Sequence, residues 1–251
     1  MTAMLASVRT LDEALFALEA GADLIDLKEP SRGALGALDH AAVRVCVQAI
    51  GGRRPVSATI GDLPSMDPQE ITAGVERMAA TGVDYIKIGF FAHPRAFDCA
   101  NALIALARKT RLVAVMFADE TYDLALVDAL AKAAFAGAML DTAHKTGKAL
   151  RDWRKEAELR EFVKRARAHG LLTGLAGSLR KEDIAPLLAI EPDYLGFRGA
   201  LCSRSKRNQN LDAEAFARIR SAIPDLECMG VTGLGAIDRS SSLCHNTPSS
   251  C

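Results

Sequence analysis

Apolar residues along the chain gather into eight short runs, and each run is followed by a stretch of helical periodicity. The runs are MLASV (4–8), LIDLK (24–28), VSATIG (56–61), YIKIGF (85–90), LVAVMFAD (112–119), AMLDTA (138–143), LLTGLAG (171–177) and YLGFRG (194–199). Nearly unbroken hydrophobicity over so few residues is what a strand buried on both faces requires, as in a parallel sheet. The run ends are spaced by about 27 residues, the length of one strand-plus-helix unit. Four of the intervening stretches carry clear helix signals. LDEALFALEAG (11–21) sets Leu11, Ala14, Leu15 and Leu18 on one face and stops at Gly21. MDPQEITAGVERMAATG (66–82) offers Asp67 as N-cap, Pro68 at the first helical position and Gly82 as terminator. WRKEAELREFVKRARAHG (153–170) has a charged outer face and ends at Gly170, and DAEAFARIRSAI (212–223) starts at Asp212. Eight consecutive βα units predict a single (β/α)8 TIM barrel. The competing open, doubly wound sheet places a glycine-rich dinucleotide turn after its first strand. Here that strand runs into VRTLDEA, which has no such turn.

Composition narrows the function classes. The 251 residues would accommodate either two small domains or one barrel, and the eightfold pattern selects one catalytic domain over 1–228. Residues 229–251, rich in Ser, Gly and Thr without periodicity, read as a flexible tail. Thirty-one basic residues balance 31 acidic ones, which argues against a nucleic-acid partner held by a basic surface. No apolar run approaches the roughly 18 residues of a membrane span, and the N-terminus lacks the pattern of a secretory signal. The six cysteines include no CxxC pair and read as free thiols of a cytoplasmic protein, Cys46 among them as core filler. The five histidines form no metal-ligand spacing, so no metal is expected. A homo-oligomer is compatible with the apolar helix faces.

The chemistry is expected where polar residues interrupt the strands, because barrel enzymes act at the C-terminal strand ends. Asp26 and Lys28 lie two apart in the second run and share a face. Lys87 sits inside the fourth run, and Asp141 ends the sixth, followed by Lys145. Lysine is scarce here, ten against 21 arginines, yet three of the ten fall at strand ends. An ion pair is served at least as well by arginine; only lysine can lose its proton and attack a carbonyl. Burial and neighbouring cations lower an amine's pKa, and converging lysines would do so to one another, with Asp26 and Asp141 available for proton transfer. Against this stands the ordinary reading of a strand-end lysine as a surface residue whose stem covers apolar area. A phosphate site is expected at the loops after strands seven and eight, with Gly177, Ser178 and Gly199 presenting backbone N–H groups and Arg198 adding charge.

The motifs DLKEPSRGALGA (26–37), SATIGDLP (57–64), DYIKIGF (84–90), MLDTAHKTGKAL (139–150), LAGSL (175–179) and GFRGALC (196–202) are together similar to the pattern of the (5-formylfuran-3-yl)methyl phosphate synthase family. The resemblance implies a TIM barrel with lysine chemistry like that of class I aldolases. It implies condensation of two molecules of glyceraldehyde 3-phosphate, with loss of phosphate and water, in methanofuran biosynthesis. It further implies that Lys28 forms the Schiff base, that Lys87 accepts a proton, and that Asp141 and Lys145 belong to the same site. No cofactor is implied, because the lysine supplies the electrophile. Two phosphorylated substrates need two anion sites; for the second, Arg32, Lys148 and Arg204 are the open alternatives. An ordinary class I aldolase, a phosphosugar isomerase and a phospholigand-binding regulatory barrel remain rival readings of the residues themselves.

Overall fold

The computed structural model describes residues 1–144 and 146–224. Eight parallel strands close into a barrel in sequential order. They are β1 (Ala3–Val8), β2 (Leu24–Leu27), β3 (Val56–Thr59), β4 (Tyr85–Phe90), β5 (Arg111–Phe117), β6 (Gly137–Asp141), β7 (Leu172–Leu175) and β8 (Tyr194–Phe197). β8 pairs with β1 in the register Ala3–Tyr194, which removes both sheet edges. Each apolar run of the sequence is a strand, and the helices between them form the outer layer. These are α1 (Leu11–Glu19), α2 (His40–Ile50), α3 (Pro68–Ala79), α4 (Ala96–Ala102), α5 (Ile104–Ala107), α6 (Ala125–Lys132), α7 (Leu150–Trp153), α8 (Glu156–Ala168), α9 (Lys181–Leu188) and α10 (Ala213–Arg220). The predicted tail falls outside the described residues.

Local signals set the helix ends. The Asp67 carboxylate accepts from the Gln69 and Glu70 amides with Pro68 following, and the Asp212 carboxylate accepts from the Ala215 amide. Two details differ from the sequence pattern. The face of α1 that is buried deepest is Glu13, Ala14 and Ala17 rather than the leucines, because Glu13 has a partner inside. The stretch 153–170 is broken at Arg154, which is extended (φ −128°, ψ 133°). Its guanidinium bonds the carbonyls of Ala118 and Glu120, and this holds the backbone out of the helix until Lys155.

Alternation divides the strand residues between two cores. Outward-facing Ala6, Ile25, Ile86, Ala114 and Leu140 pack under the helices. Inward-facing Leu5, Leu24, Tyr85, Val113, Met139 and Tyr194 fill the barrel's lower interior. Tyr194 takes the space that a side chain at position 174 would need: a Cβ on Gly174 would lie 2.3 Å from the ring. This apolar floor leaves the C-terminal half of the barrel to polar side chains.

Candidate active site

The inward positions above that floor carry Ser7 on β1, Asp26 and then Lys28 on β2, Ser57 and Thr59 on β3, Lys87 on β4 and Asp141 on β6, all buried. Each follows from period-two alternation: Leu24, Asp26 and Lys28 point inward, as do Tyr85 and Lys87. Asp26 is the hub. Its Oδ2 accepts from Ser7 Oγ at 2.9 Å, and its Oδ1 accepts from Ser57 Oγ at 2.6 Å and pairs with Lys87 Nζ at 2.9 Å. Lys28 Nζ stands 3.8 Å from Asp141 Oδ2, an ion-pair rather than a hydrogen-bond distance. Asp141 Oδ1 accepts from the Thr142 amide at 2.7 Å.

The electrostatics follow from burial. For Asp26, desolvation is the largest influence and would raise the carboxyl pKa. Lys87, Lys28 and the hydrogen bonds from Ser57 and Lys87 together outweigh it and hold the group below its ordinary value. For Lys87, desolvation dominates and drives the amine below the ordinary lysine value of 10.5. Asp26 opposes the fall, while the positive charge of Lys28 adds to it. Tyr194 forms the underside, with Lys87 Nζ 5.9 Å from its ring centroid and its phenol pushed up by burial. The site therefore holds an ionised carboxylate beside an amine that gives up its proton more readily than lysine in water.

These groups open into a cavity of about 780 Å³ lined by Lys28, Lys87, Asp141 and the loops after β7 and β8. Gly177 (φ +106°) and Ser178 (φ +50°) adopt left-handed backbone there. A Cβ at Gly177 would lie 2.9 Å from Thr142 Cγ2, so only glycine lets the two loops approach. Among the described residues, the amides of Gly177, Ser178 and Gly199 have no acceptor, and all three residues line the cavity.

The structure thus brings together Asp26, Lys28, Lys87, Asp141, Gly177, Ser178 and Gly199. Lys145 lies outside the described residues. Arg198 corrects the sequence reading. It is buried, and all five of its N–H donors are used within the protein: two on Glu13, and one each on the carbonyls of Ser7, Arg207 and Gln209. With no donor left for phosphate, it anchors the β8–α10 segment to β1 and α1. Of the alternatives for a second anion site, none of Arg32, Lys148 and Arg204 lines the cavity. Lys148 Nζ instead lies 4.6 Å from the Trp153 ring centroid.

Three supporting residues escaped the sequence reading. Ser7 was findable, being two positions beyond the inward Leu5. Glu13 lies on a helix that pattern assigns to the outer layer. Asp119, with a fully buried side chain, accepts from the Ala143 and His144 amides at 2.7 Å each and fixes the start of the β6–α7 loop. Among the described residues, no three His, Cys, Asp or Glu side chains converge as a metal-ligand group. No described helix is long and apolar enough to cross a membrane.

A closed eight-stranded barrel gathering amines and carboxylates at its C-terminal mouth defines a class, the (β/α)8 barrel enzymes with an amine–carboxylate site. Solved structures agree on the fold. Phosphoribosyl anthranilate isomerase from Thermus thermophilus superposes with a TM-score of 0.63 at 18% identity, covering 88% of this chain and 98% of its own. Thiamine phosphate pyrophosphorylase from Pyrococcus furiosus gives 0.58 at 13% identity, covering 88% and 94%. Sequence comparison is more specific. The model of the 4-HFC-P synthase family matches residues 4–220. A protein of Methylorubrum extorquens assigned provisionally as (5-formylfuran-3-yl)methyl phosphate synthase is 47% identical over 88% of this chain and 89% of its own. The enzyme of that name from Methanopyrus kandleri is 38% identical over 82% and 92%. The chain belongs to the 4-HFC-P synthase family.

Proposed function

We propose that this protein condenses two molecules of glyceraldehyde 3-phosphate into (5-formylfuran-3-yl)methyl phosphate through a Lys28 Schiff base, and so supplies a methanofuran precursor. Atoms balance with release of one phosphate and two waters. The observation that carries the reading is the placement of the Lys28 amine between Asp141 and the Asp26–Lys87 pair, at the opening of a cavity able to take phosphorylated trioses.

The Lys28 amine, once it has given up a proton, adds to the carbonyl of the first triose phosphate and expels water to give an iminium. Its nitrogen accepts the electron pair released when a base removes the adjacent proton, which leaves an enamine. Lys87, an amine of lowered pKa beside ionised Asp26, is the base placed for this step. The enamine carbon bonds to the aldehyde carbon of the second triose. Ring closure, phosphate elimination and loss of the second water then form the furan and free Lys28. The amides of Gly177, Ser178 and Gly199 hold one substrate phosphate.

Purified protein incubated with glyceraldehyde 3-phosphate alone is expected to generate an absorbing furan aldehyde and an equal amount of inorganic phosphate. Conversion to a ketose phosphate without phosphate release would identify an isomerase or ordinary aldolase instead. Borohydride is expected to trap the substrate carbons on Lys28, seen as a mass increment on its peptide, and Lys28→Arg to abolish the adduct. A second reading of the nucleophile rests on one observation, the lowered pKa of Lys87. Trapping on the Lys87 peptide, or an adduct retained at full yield in Lys28→Arg, would exchange the two roles.

A further inference from the structure

Condensing two triose phosphates requires a second anion-binding group. The segment between β8 and α10 arches over the end of β1 toward the β2 loop. It is fastened by Arg198, which donates to the carbonyls of Arg207 and Gln209. At the top of the arch, Arg207 Nη2 donates to Gly33 O of the β2 loop at 2.6 Å. That loop is held from its other side by Asp62, which accepts from the amides of Ala34 and Leu35. A Cβ on Gly33 would collide with the Asp62 carboxylate at 1.7 Å, so the bracket depends on glycine.

Arg207 lines the same cavity as Lys28, Lys87 and Asp141, is partly buried, and lies close enough to Asp141 and Asp62 to feel their charge. Unlike Arg198, it has only one N–H donor with a partner among the described residues. Two other cavity-lining arginines are engaged, while the cavity-lining Lys181 and Lys206 are exposed and offer point charges rather than a planar fork. Arg180 donates to Gly147 O and lies near Asp152, and Arg218 pairs with Glu214. Arginine's planar donor fork suits a phosphate oxygen pair.

We propose that the Arg207 guanidinium binds the phosphate of the second triose phosphate, on the β2 side of the mouth where it reaches Gly33 O. This rests on the two-substrate reading above. A one-phosphate aldolase would have no need of it.

Two arms test it. Glycerol 3-phosphate has no carbonyl to react, so its binding is independent of catalysis. Phosphorus NMR titration is expected to find two molecules per wild-type chain and one in Arg207→Ala. One molecule in wild type, or two in the variant, would overturn the proposal. In the second arm, Arg207→Ala is expected to keep the wild-type half-saturation for borohydride-trapped adduct. Its KM for furan formation should rise roughly ten- to a hundred-fold, the weight of one charge-assisted contact, with partial rescue by Arg207→Lys. An unchanged KM, or equal loss of trapping and furan formation, would also overturn it. Failure of the condensation reading looks different: wild type would form neither adduct nor furan, whatever the binding stoichiometry.

Discussion

At the scale of single residues, charge is placed by what surrounds it, and two arginines nine positions apart in the chain illustrate this. Arg198 and Arg207 belong to one segment; the first has every donor satisfied inside the protein and the second has one. Truncating the first breaks the buried, bidentate pair with Glu13 and leaves that carboxylate only the Arg9 amide and the more distant Arg9 guanidinium, a loss of about 3 kcal/mol. Arg198→Met is expected to lower the melting temperature by about 10 °C, measured by calorimetry, for a domain of this size. A direct phosphate ligand would instead show its loss in KM with stability intact. The sequence placed Arg198 at the correct strand end but could not reveal its partner, because Glu13 is 185 positions away on a helix. Asp26, Lys28, Lys87 and Asp141 were legible because alternation within one strand fixes their face. Arg207 was not, since it lies in an irregular segment where no periodicity says which way a side chain points.

At the scale of elements, the strand starts were read to within one residue, because a run buried on both faces has few alternatives, while five of the eight runs extend two residues past the strand end into the loop. The loops themselves were not legible, since their conformations depend on contacts from distant chain. The β6–α7 loop shows how such contacts act. Asp119, at the end of β5, uses both carboxylate oxygens to hold the amides of Ala143 and His144. In Asp119→Asn one oxygen becomes a donor facing an amide N–H, and a buried donor without an acceptor costs about 1–3 kcal/mol. We expect faster hydrogen exchange in the peptide spanning 142–149 and a fall in turnover of roughly ten-fold or more. The barrel strands should keep their protection. Slowed turnover with unchanged exchange in this loop would place the effect elsewhere. The break at Arg154 has the same origin: the helical pattern of 153–170 is sound, but two carbonyls of the β5–α6 loop claim the guanidinium and the chain bends to reach them.

At the scale of the whole molecule, the barrel keeps a proton deficit in its interior. Asp26 titrates below its value of 3.8 in the unfolded chain and Lys87 below 10.5. In the acidic window under 3.8 the unfolded chain binds the carboxyl proton that the native site refuses, so stability is lost as pH falls through the native Asp26 value. In the alkaline window under 10.5 the unfolded chain binds the amine proton that the native site releases. There, stability is lowest while Lys87 must be buried charged, and it rises with pH until the unfolded lysine also titrates near 10.5. Lys87→Met removes the second contribution and leaves the first. Urea denaturation across pH is therefore expected to show wild type gaining on Lys87→Met from the native Lys87 value upward, with the gain complete above 10.5. A constant difference between the two proteins would mean that Lys87 keeps an ordinary affinity for its proton. The same titration governs chemistry, since the proton the fold disfavours on Lys87 is the one a base must be free to take from substrate. Turnover should rise with pH through the value at which the wild-type stability begins to climb, and coincidence of the two transitions would tie the cost of burying this lysine to its use as a base.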